Sequence, residues 1–407
     1  MSMTEPVIFE GGKVLLSEGI VQASLRIEAG RIAGLDAPRS GARVVNAAGM
    51  ILAPAIVDIH GDAFERQIMP RPGVMLPTEV ALLETDRQLA ANGIATAYHA
   101  LTLSWEPGLR SVETGWQVFD ALTRLAPRLT MEHRLQLRWE TFCPEAIPLI
   151  EAALAGPLTP SLAFNDHTTM AVLHPDVALQ DRPFDHDTAF RVTDMTSAAF
   201  AAKMDSRAKR SNMGTADYVA LIQKIWQRRP EALGWIEQVA HLARMAGAPM
   251  LSHDDSQEET RGFYRRLGSL ITEFPMNRRT AQFARAGGDA IVLGAPNAAR
   301  GGSHLGSIGA ADMFRDGLCD ILASDYYYPA MLGAMSRLMD DGCGPLHKLW
   351  PMISANPARA LGLTDRGQIQ PGLRADLVLL DWPEGEVPVV RQTWVAGRCA
   401  YGAIAAA

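Results

Sequence analysis

Apolar positions along this chain follow two patterns. Residues 6–50 alternate over short runs broken by glycine (VIFEGGKVLL, GIVQASLRIEAGRIAGL, ARVVNAAG), and residues 366–402 do the same (DRGQIQPGLRADLVLLDW, VRQTWVAGRCAYG). Both ends therefore predict β-structure. The middle alternates apolar runs with stretches of helical period, among them 77–93 and 231–247. Strand then helix, repeated, predicts a parallel sheet of the α/β class. Candidate strands fall at 51–59, 94–100, 134–140, 159–166, 248–253, 269–274, 289–294 and 319–325. Eight such units suit a (β/α)8 TIM barrel. The interval between the fourth and fifth is too wide for one loop, so about 170–230 is read as a helical insertion rich in charge (KMDSRAKRSNMG). In the helix at 231–247, Leu233, Ile236, Val239 and Leu242 recur at helical spacing and are read as barrel packing. The expected division is a composite unit of 1–50 with 366–407 around a barrel of 51–365.

Composition narrows the function classes. The chain has 407 residues, a formal net charge of −7, 48% hydrophobic and 20% charged residues. That balance disfavours nucleic acid and membrane surfaces as partners, which want a basic footprint. It allows an anionic small molecule, since a few arginines in one cleft override the global sign. Cys143, Cys319, Cys343 and Cys399 are scattered, so reduced thiols in a cytoplasmic protein are expected. The amino terminus lacks a signal-peptide pattern, no long apolar run predicts a membrane span, and neither a P-loop nor a GxGxxG turn follows a strand. Homo-oligomerisation stays open.

The chemistry gathers at strand ends. ILAPAIVDIHGDAF closes on Asp58, His60 and Asp62, which share a face if the strand runs that far, i and i+2 standing about 6.6 Å apart. An isolated HxD is most often a core histidine. Here RLQLRWETF ends near Glu140, SLAFNDHT at Asn165, Asp166 and His167, APMLSHDDS at His253, Asp254 and Asp255, and CDILASDYY at Asp325. In a barrel all these ends meet at one mouth. Imidazole and carboxylate without cysteine suit a catalytic divalent cation, Zn²⁺, Mn²⁺ or Fe²⁺, as one ion or two. Arg71 follows the first strand, Arg138 lies two residues before Glu140, and the glycine-rich GAPNAARGGSH holds Arg300 and His304; these four are candidate contacts to a phosphorylated substrate. Lys209 and Arg210 in the insertion read as a solvated charge run. Arg278 or Arg279 is a further candidate, and His99 and His133 read as structural. The run Tyr326–Tyr328 either stacks on a sugar or walls the mouth.

The strings VDIHGD, ISANPARALGL and DRGQIQPGLRADLVLLD together resemble the amidohydrolase superfamily. The resemblance implies a metal-bearing (β/α)8 barrel with a small β-sandwich domain built from both chain ends. ILAPAIVDIHGD, PRPGV, EHRLQLRWE, LSHDD, LGSLITEFP, VLGAPNAARGGSHLGS and DILASDYY, spanning about residues 50–330, resemble more narrowly the PhnM family of phosphonate degradation. That family splits α-D-ribose 1-methylphosphonate 5-triphosphate into the 5-phosphate and pyrophosphate, which implies attack of metal-bound hydroxide on phosphorus. By position the resemblance implies His60, Asp62, Glu140, His167, His253 and Asp325 as metal ligands, with Asp325 also handling the proton of the attacking water. Of Asp254 and Asp255, one is expected to orient an imidazole or complete a strand-end hydrogen bond behind the ligands. The chain departs from the family pattern at HGDAF (the family has HTDN), at DHTTMAV (the family has a DHSPGQ-like stretch) and in its extra tyrosine. These departures touch substrate-lining positions more than the metal set. A deacetylase or deaminase acting on a C–N bond of a small substrate is the alternative, and would need fewer arginines at the mouth. A scaffold without chemistry would show gaps among the six ligands, and none is missing.

Overall fold

A computed structural model of the chain describes residues 5–301 and 309–403. Eight parallel strands form one sheet in sequence order: β1 (Ile56–Gly61), β2 (Ile94–Leu103), β3 (Glu132–Glu140), β4 (Ser161–Asn165), β5 (Met250–His253), β6 (Ile271–Glu273), β7 (Ala290–Gly294) and β8 (Ile321–Ala323). Most strand positions are buried, because helices cover the outer face while the inner face packs on itself. Val57, Ile59, Tyr98, Ala163, Leu251, Ile271, Val292, Ile321 and Ala323 come from seven of the strands and meet in one cluster, which fills the barrel axis.

The barrel closes by backbone contacts at its mouth. A parallel bridge joins Gly61 to Asp325, the Asp325 N–H donates to the His60 carbonyl at 3.0 Å, and the Asp62 N–H donates to the Asp325 carbonyl at 2.9 Å. Closure thus fixes His60, Asp62 and Asp325 relative to one another.

The sequence-predicted run at 51–59 is divided. Ile51–Pro54 pairs with Leu377–Asp381 and Lys13–Leu16 in a six-stranded sheet that interleaves both chain ends, and only Ile56–Gly61 enters the barrel. A four-stranded sheet from residues 7–46 packs against that sheet. Val7, Phe9, Leu25, Ile27, Leu52, Leu377, Leu379 and Trp394 form their shared core. Arg366 and Arg374, on the segment that returns to this core, both meet the Glu132 carboxylate at the start of β3 and tie it to the barrel base.

Between β4 and β5 lie helices Ala198–Arg210, Thr215–Trp226 and Arg229–Met245. Phe200, Met204, Ala208, Tyr218 and Ile222 pack with Ala171–Leu173 in a small core of their own. Helix Arg229–Met245 buries Ala232, Ile236, Val239, Ala240 and Ala243, while Leu233 is 38% exposed. The stripe is therefore rotated from the one expected, because alanines let the helix approach closely. Within the glycine-rich GAPNAARGGSH stretch, Ala295–Arg300 is helical and ends at Gly301, whose φ of 75° suits a residue without Cβ. The four cysteines are free, and among the described residues no helix is long and apolar enough to cross a membrane.

Candidate active site

The strand ends converge in two neighbouring groups. In the first, one ligand atom each from His60, His253 and Glu273 lies within 4.8 Å of the others, and the same holds for His60, Asp62 and Asp325. Asp58, expected on the same face, does not join them. The four residues Asp58–Gly61 of β1 run opposite three of β2, Ala97–His99, and this bulge breaks the strand's alternation. The Asp58 carboxylate instead accepts from Ser324 N at 3.0 Å and Ser324 Oγ at 2.5 Å, stapling β1 to the end of β8. Burial pushes its carboxyl up to about 6 against those two hydrogen bonds.

Sequence reasoning missed Glu273. Its strand is three residues long, so TEFP gave little alternation to read; its place at a strand end was the available signal. Glu273 is fully buried, with Oε1 3.1 Å from His60 Nδ1 and accepting from Gln136 Nε2 at 2.9 Å. Burial opposes charge on His60, yet the Glu273 carboxylate holds its pKa at about 9. The same imidazole keeps Glu273 below its usual range despite burial. On the other side, His253 Nδ1 is 3.1 Å from Asp254 Oδ2, a carboxylate that burial would raise but that the histidine holds far below its ordinary value. Asp255 faces elsewhere: it accepts from Thr272 and lies beside Arg261, completing a buried link between β5, β6 and the following helix. One of the paired aspartates therefore meets an imidazole, and the other serves strand-end bonding.

Three residues at the mouth have left-handed backbones: Asp254 (φ 58°), Phe274 (φ 56°) and Asp325 (φ 55°). Such φ values in non-glycine residues cluster at functional sites, where surrounding structure holds them. Here each residue's N–H still donates to the next strand or to β1: Asp254 to Glu273, Phe274 to Val292, Asp325 to His60. The Phe274 ring stands edge-on to His60 and His253, 5.2 Å from each, and gives the imidazoles an apolar wall. Burial and the adjacent Asp62 raise the Asp325 carboxyl.

The second group holds Glu140 and His167. Glu140 accepts from Asn165 Nδ2 and from the His167 N–H, and His167 Nδ1 is 2.8 Å from Oε1. Burial, then Glu106, pushes the Glu140 carboxyl to about 7. Burial, then Arg138, keeps His167 well below its usual value, so the imidazole is neutral and the contact is not an ion pair. The His167 and His253 rings are 6.3 Å apart. Arg138 lies between the groups, with Nη1 3.7 Å from Asp62 Oδ2 and Nη2 3.4 Å from His167 Nε2.

A divalent cation fits the first group. Apart from the carboxylate contacts at 3.1 Å just described, His253 Nδ1 and Nε2, His60 Nδ1 and Glu273 Oε2 are buried and make no well-aligned hydrogen bond among the described residues. Buried polar atoms are rarely left unmet, and one ligand atom from each of these three residues lies within 4.8 Å of the others. Two imidazoles with carboxylates and no thiolate are a donor set for Zn²⁺, Mn²⁺ or Fe²⁺.

The other sequence candidates scatter. Arg71 sits in an exposed turn, and Arg300 is exposed at the end of its helix; neither lines the mouth. His304 lies outside the described residues. Arg278 pairs with Asp316 and Arg279 with Gln257. Tyr328 is buried, while Tyr326 and Tyr327 are exposed. His99 and His133 form a buried chain to Asp86, at 2.7 and 3.0 Å, within the wall behind β2 and β3.

The amidohydrolase family profile matches residues 167–401, more than half of the chain. This protein belongs to the amidohydrolase family. As a whole chain it is 28% identical over 398 residues to the alpha-D-ribose 1-methylphosphonate 5-triphosphate diphosphatase of Escherichia coli (strain K12), covering 96% of this chain and 99% of that one. This amidohydrolase also shares its fold with an adenosine deaminase from Xanthomonas campestris with bound zinc (TM-score 0.60, 13% identity, 97% of this chain and 93% of that). Phenylurea hydrolase B is similar too (TM-score 0.61, 14% identity, 97% and 96%). The amidohydrolase superfamily is metal-dependent, in keeping with the donor set found here.

Proposed function

We propose that this amidohydrolase splits a triphosphorylated ribosyl phosphonate, α-D-ribose 1-methylphosphonate 5-triphosphate, into the 5-phosphate and pyrophosphate. The observation that carries the reading is the pairing of a buried His–carboxylate group with guanidinium groups at one mouth. Arg110 and Arg138 line a cavity of about 320 Å³ with Asp62, His167, His253 and Asp325. His60 with His253 and Glu273, and His60 with Asp62 and Asp325, would hold a divalent ion, which when bound would supply Lewis acidity and lower the pKa of water from about 15.7 towards about 7. Asp325, at the closure of the barrel, accepts the proton of the attacking water. Arg138 meets the charge that develops as the leaving group departs; a pyrophosphate needs neutralisation more than it needs a proton. Phe274 excludes water from the imidazoles. Glu140, with His167 and Asn165, holds the far wall of the cavity.

Hydrolysis of a C–N bond is the second reading, supported by a fold shared with proteins named as a deaminase and a phenylurea hydrolase. Metal-loaded protein incubated with the ribosyl triphosphate should release pyrophosphate and the 5-phosphate in equal amounts. Intact triphosphate alongside turnover of N-acyl or amino compounds would replace the first reading by the second.

A further inference from the structure

A second, smaller cavity of about 140 Å³ opens beside the site, lined among others by Trp105, Glu106, Arg110, His167, Arg207 and Arg210. It shares Arg110 and His167 with the larger one. Its lining is mostly polar, which suits a compact charged group. We propose that this cavity is the subsite for the departing diphosphate, and that the inserted helix Ala198–Arg210 builds it. The inference rests on the phosphate-ester reading above.

The cations are set before any ligand arrives. Arg207 and Arg210 are three residues apart on one helix face. Arg207 Nη1 is 3.8 Å and Arg210 Nη2 3.3 Å from the two oxygens of Glu106. Glu106 is 7% exposed and also accepts from the Tyr218 hydroxyl. Burial would raise its carboxyl, but Arg210, Tyr218 and Arg207 hold it below the usual range, so it stays charged and anchors both guanidiniums. Arg110 comes from the loop after β2 and is gripped by Glu65 through Nε and Nη2. Glu140 also lines the cavity and Asp62 Oδ2 lies 4.0 Å from Arg110 Nη2, so the guanidiniums of Arg110, Arg138, Arg207 and Arg210 face the carboxylates of Glu65, Glu106, Glu140 and Asp62. Each fork keeps donors for phosphate oxygens beyond those spent on its carboxylate.

The two cavities sort the two ends of the substrate. The larger one adds Phe274, Pro275, Met276, Leu293 and Met313, apolar walls suited to the sugar end. In the reaction, the water oxygen bonds to the phosphorus nearest the sugar. The P–O bond to the next phosphate breaks, that bridging oxygen keeps the electron pair, and the water proton passes to Asp325. Negative charge therefore rises on the diphosphate, where the arginines wait.

Inorganic pyrophosphate is the probe, titrated calorimetrically into metal-loaded protein and used as an inhibitor of turnover. In Arg207→Ala/Arg210→Ala, whose parent side chains are 25% and 40% exposed, the dissociation constant should rise at least about tenfold while metal content and circular dichroism hold. Arg210→Ala alone, at the more exposed position, should give part of that rise. Lys209→Ala, on the same helix but paired with Asp205 at 2.6 Å, should change nothing. Wild-type pyrophosphate affinity in the double variant, or no binding by the parent at millimolar concentration, overturns the subsite even if the triphosphate is split. Arginine-dependent pyrophosphate binding without triphosphate cleavage upholds the subsite and removes the substrate reading instead.

Discussion

Glu273 and Asp325 do different work within one group. Glu273 is fully buried and holds His60, whereas Asp325 stands on a left-handed backbone at the cavity wall. Removing the first should empty the site; removing the charge of the second should leave it filled but idle. Glu273→Gln is expected to lose bound metal on purification, measured by elemental analysis. Asp325→Asn should keep most of it while kcat falls by about 10² to 10⁴, the usual worth of a positioned proton acceptor. Equal metal loss in both would merge the two roles. The arginines show where residue-scale reading from sequence ends. Arg138 was legible, because it shares a strand face with Glu140. Arg210 read with Lys209 as a solvated run and Arg207 was not singled out, since Glu106, which meets both arginines, lies about a hundred positions earlier.

At the scale of elements, the eight strands were legible because buried parallel strands are continuous apolar runs. Their exact faces were not. The bulge in β1 sends Asp58 to Ser324 and leaves His60 at the site, and no local pattern announces it. Asp58→Ala leaves Ser324 N and Oγ without their buried acceptor, which costs about 1–3 kcal/mol. The loosening should be local: amide exchange at Asp62 and Asp325, whose N–H groups close the barrel, should quicken more than exchange in β3 or β4. Uniform acceleration would mean that Asp58 supports the fold as a whole and not the closure.

Across the whole molecule, both chain ends return to one sheet, and the Glu132 ion cluster joins that layer to the barrel base, far from the mouth. The two β-rich termini were visible in sequence; their interleaving through Ile51–Pro54 was not, since pairing is non-local. Burial would raise Glu132, but Arg366, Arg374 and Arg134 hold its carboxyl at about 2, below its unfolded value near 4.5. Its stabilising effect is therefore complete above the unfolded value and is lost as pH falls from there towards 2. Glu132→Gln should destabilise the protein by about 3–5 kcal/mol at pH 7, since it strands buried arginines. In urea melts that deficit should shrink between pH 5 and pH 3; a constant deficit would assign it to packing. The central claim spans every scale: strand ends drawn from across the chain hold one divalent cation. Anomalous diffraction at the zinc edge, on crystals of zinc-loaded protein, tests it most directly. The account predicts a peak within bonding distance of the imidazole nitrogens of His60 and His253, with Glu273 beside it; a peak elsewhere, or none, contradicts it.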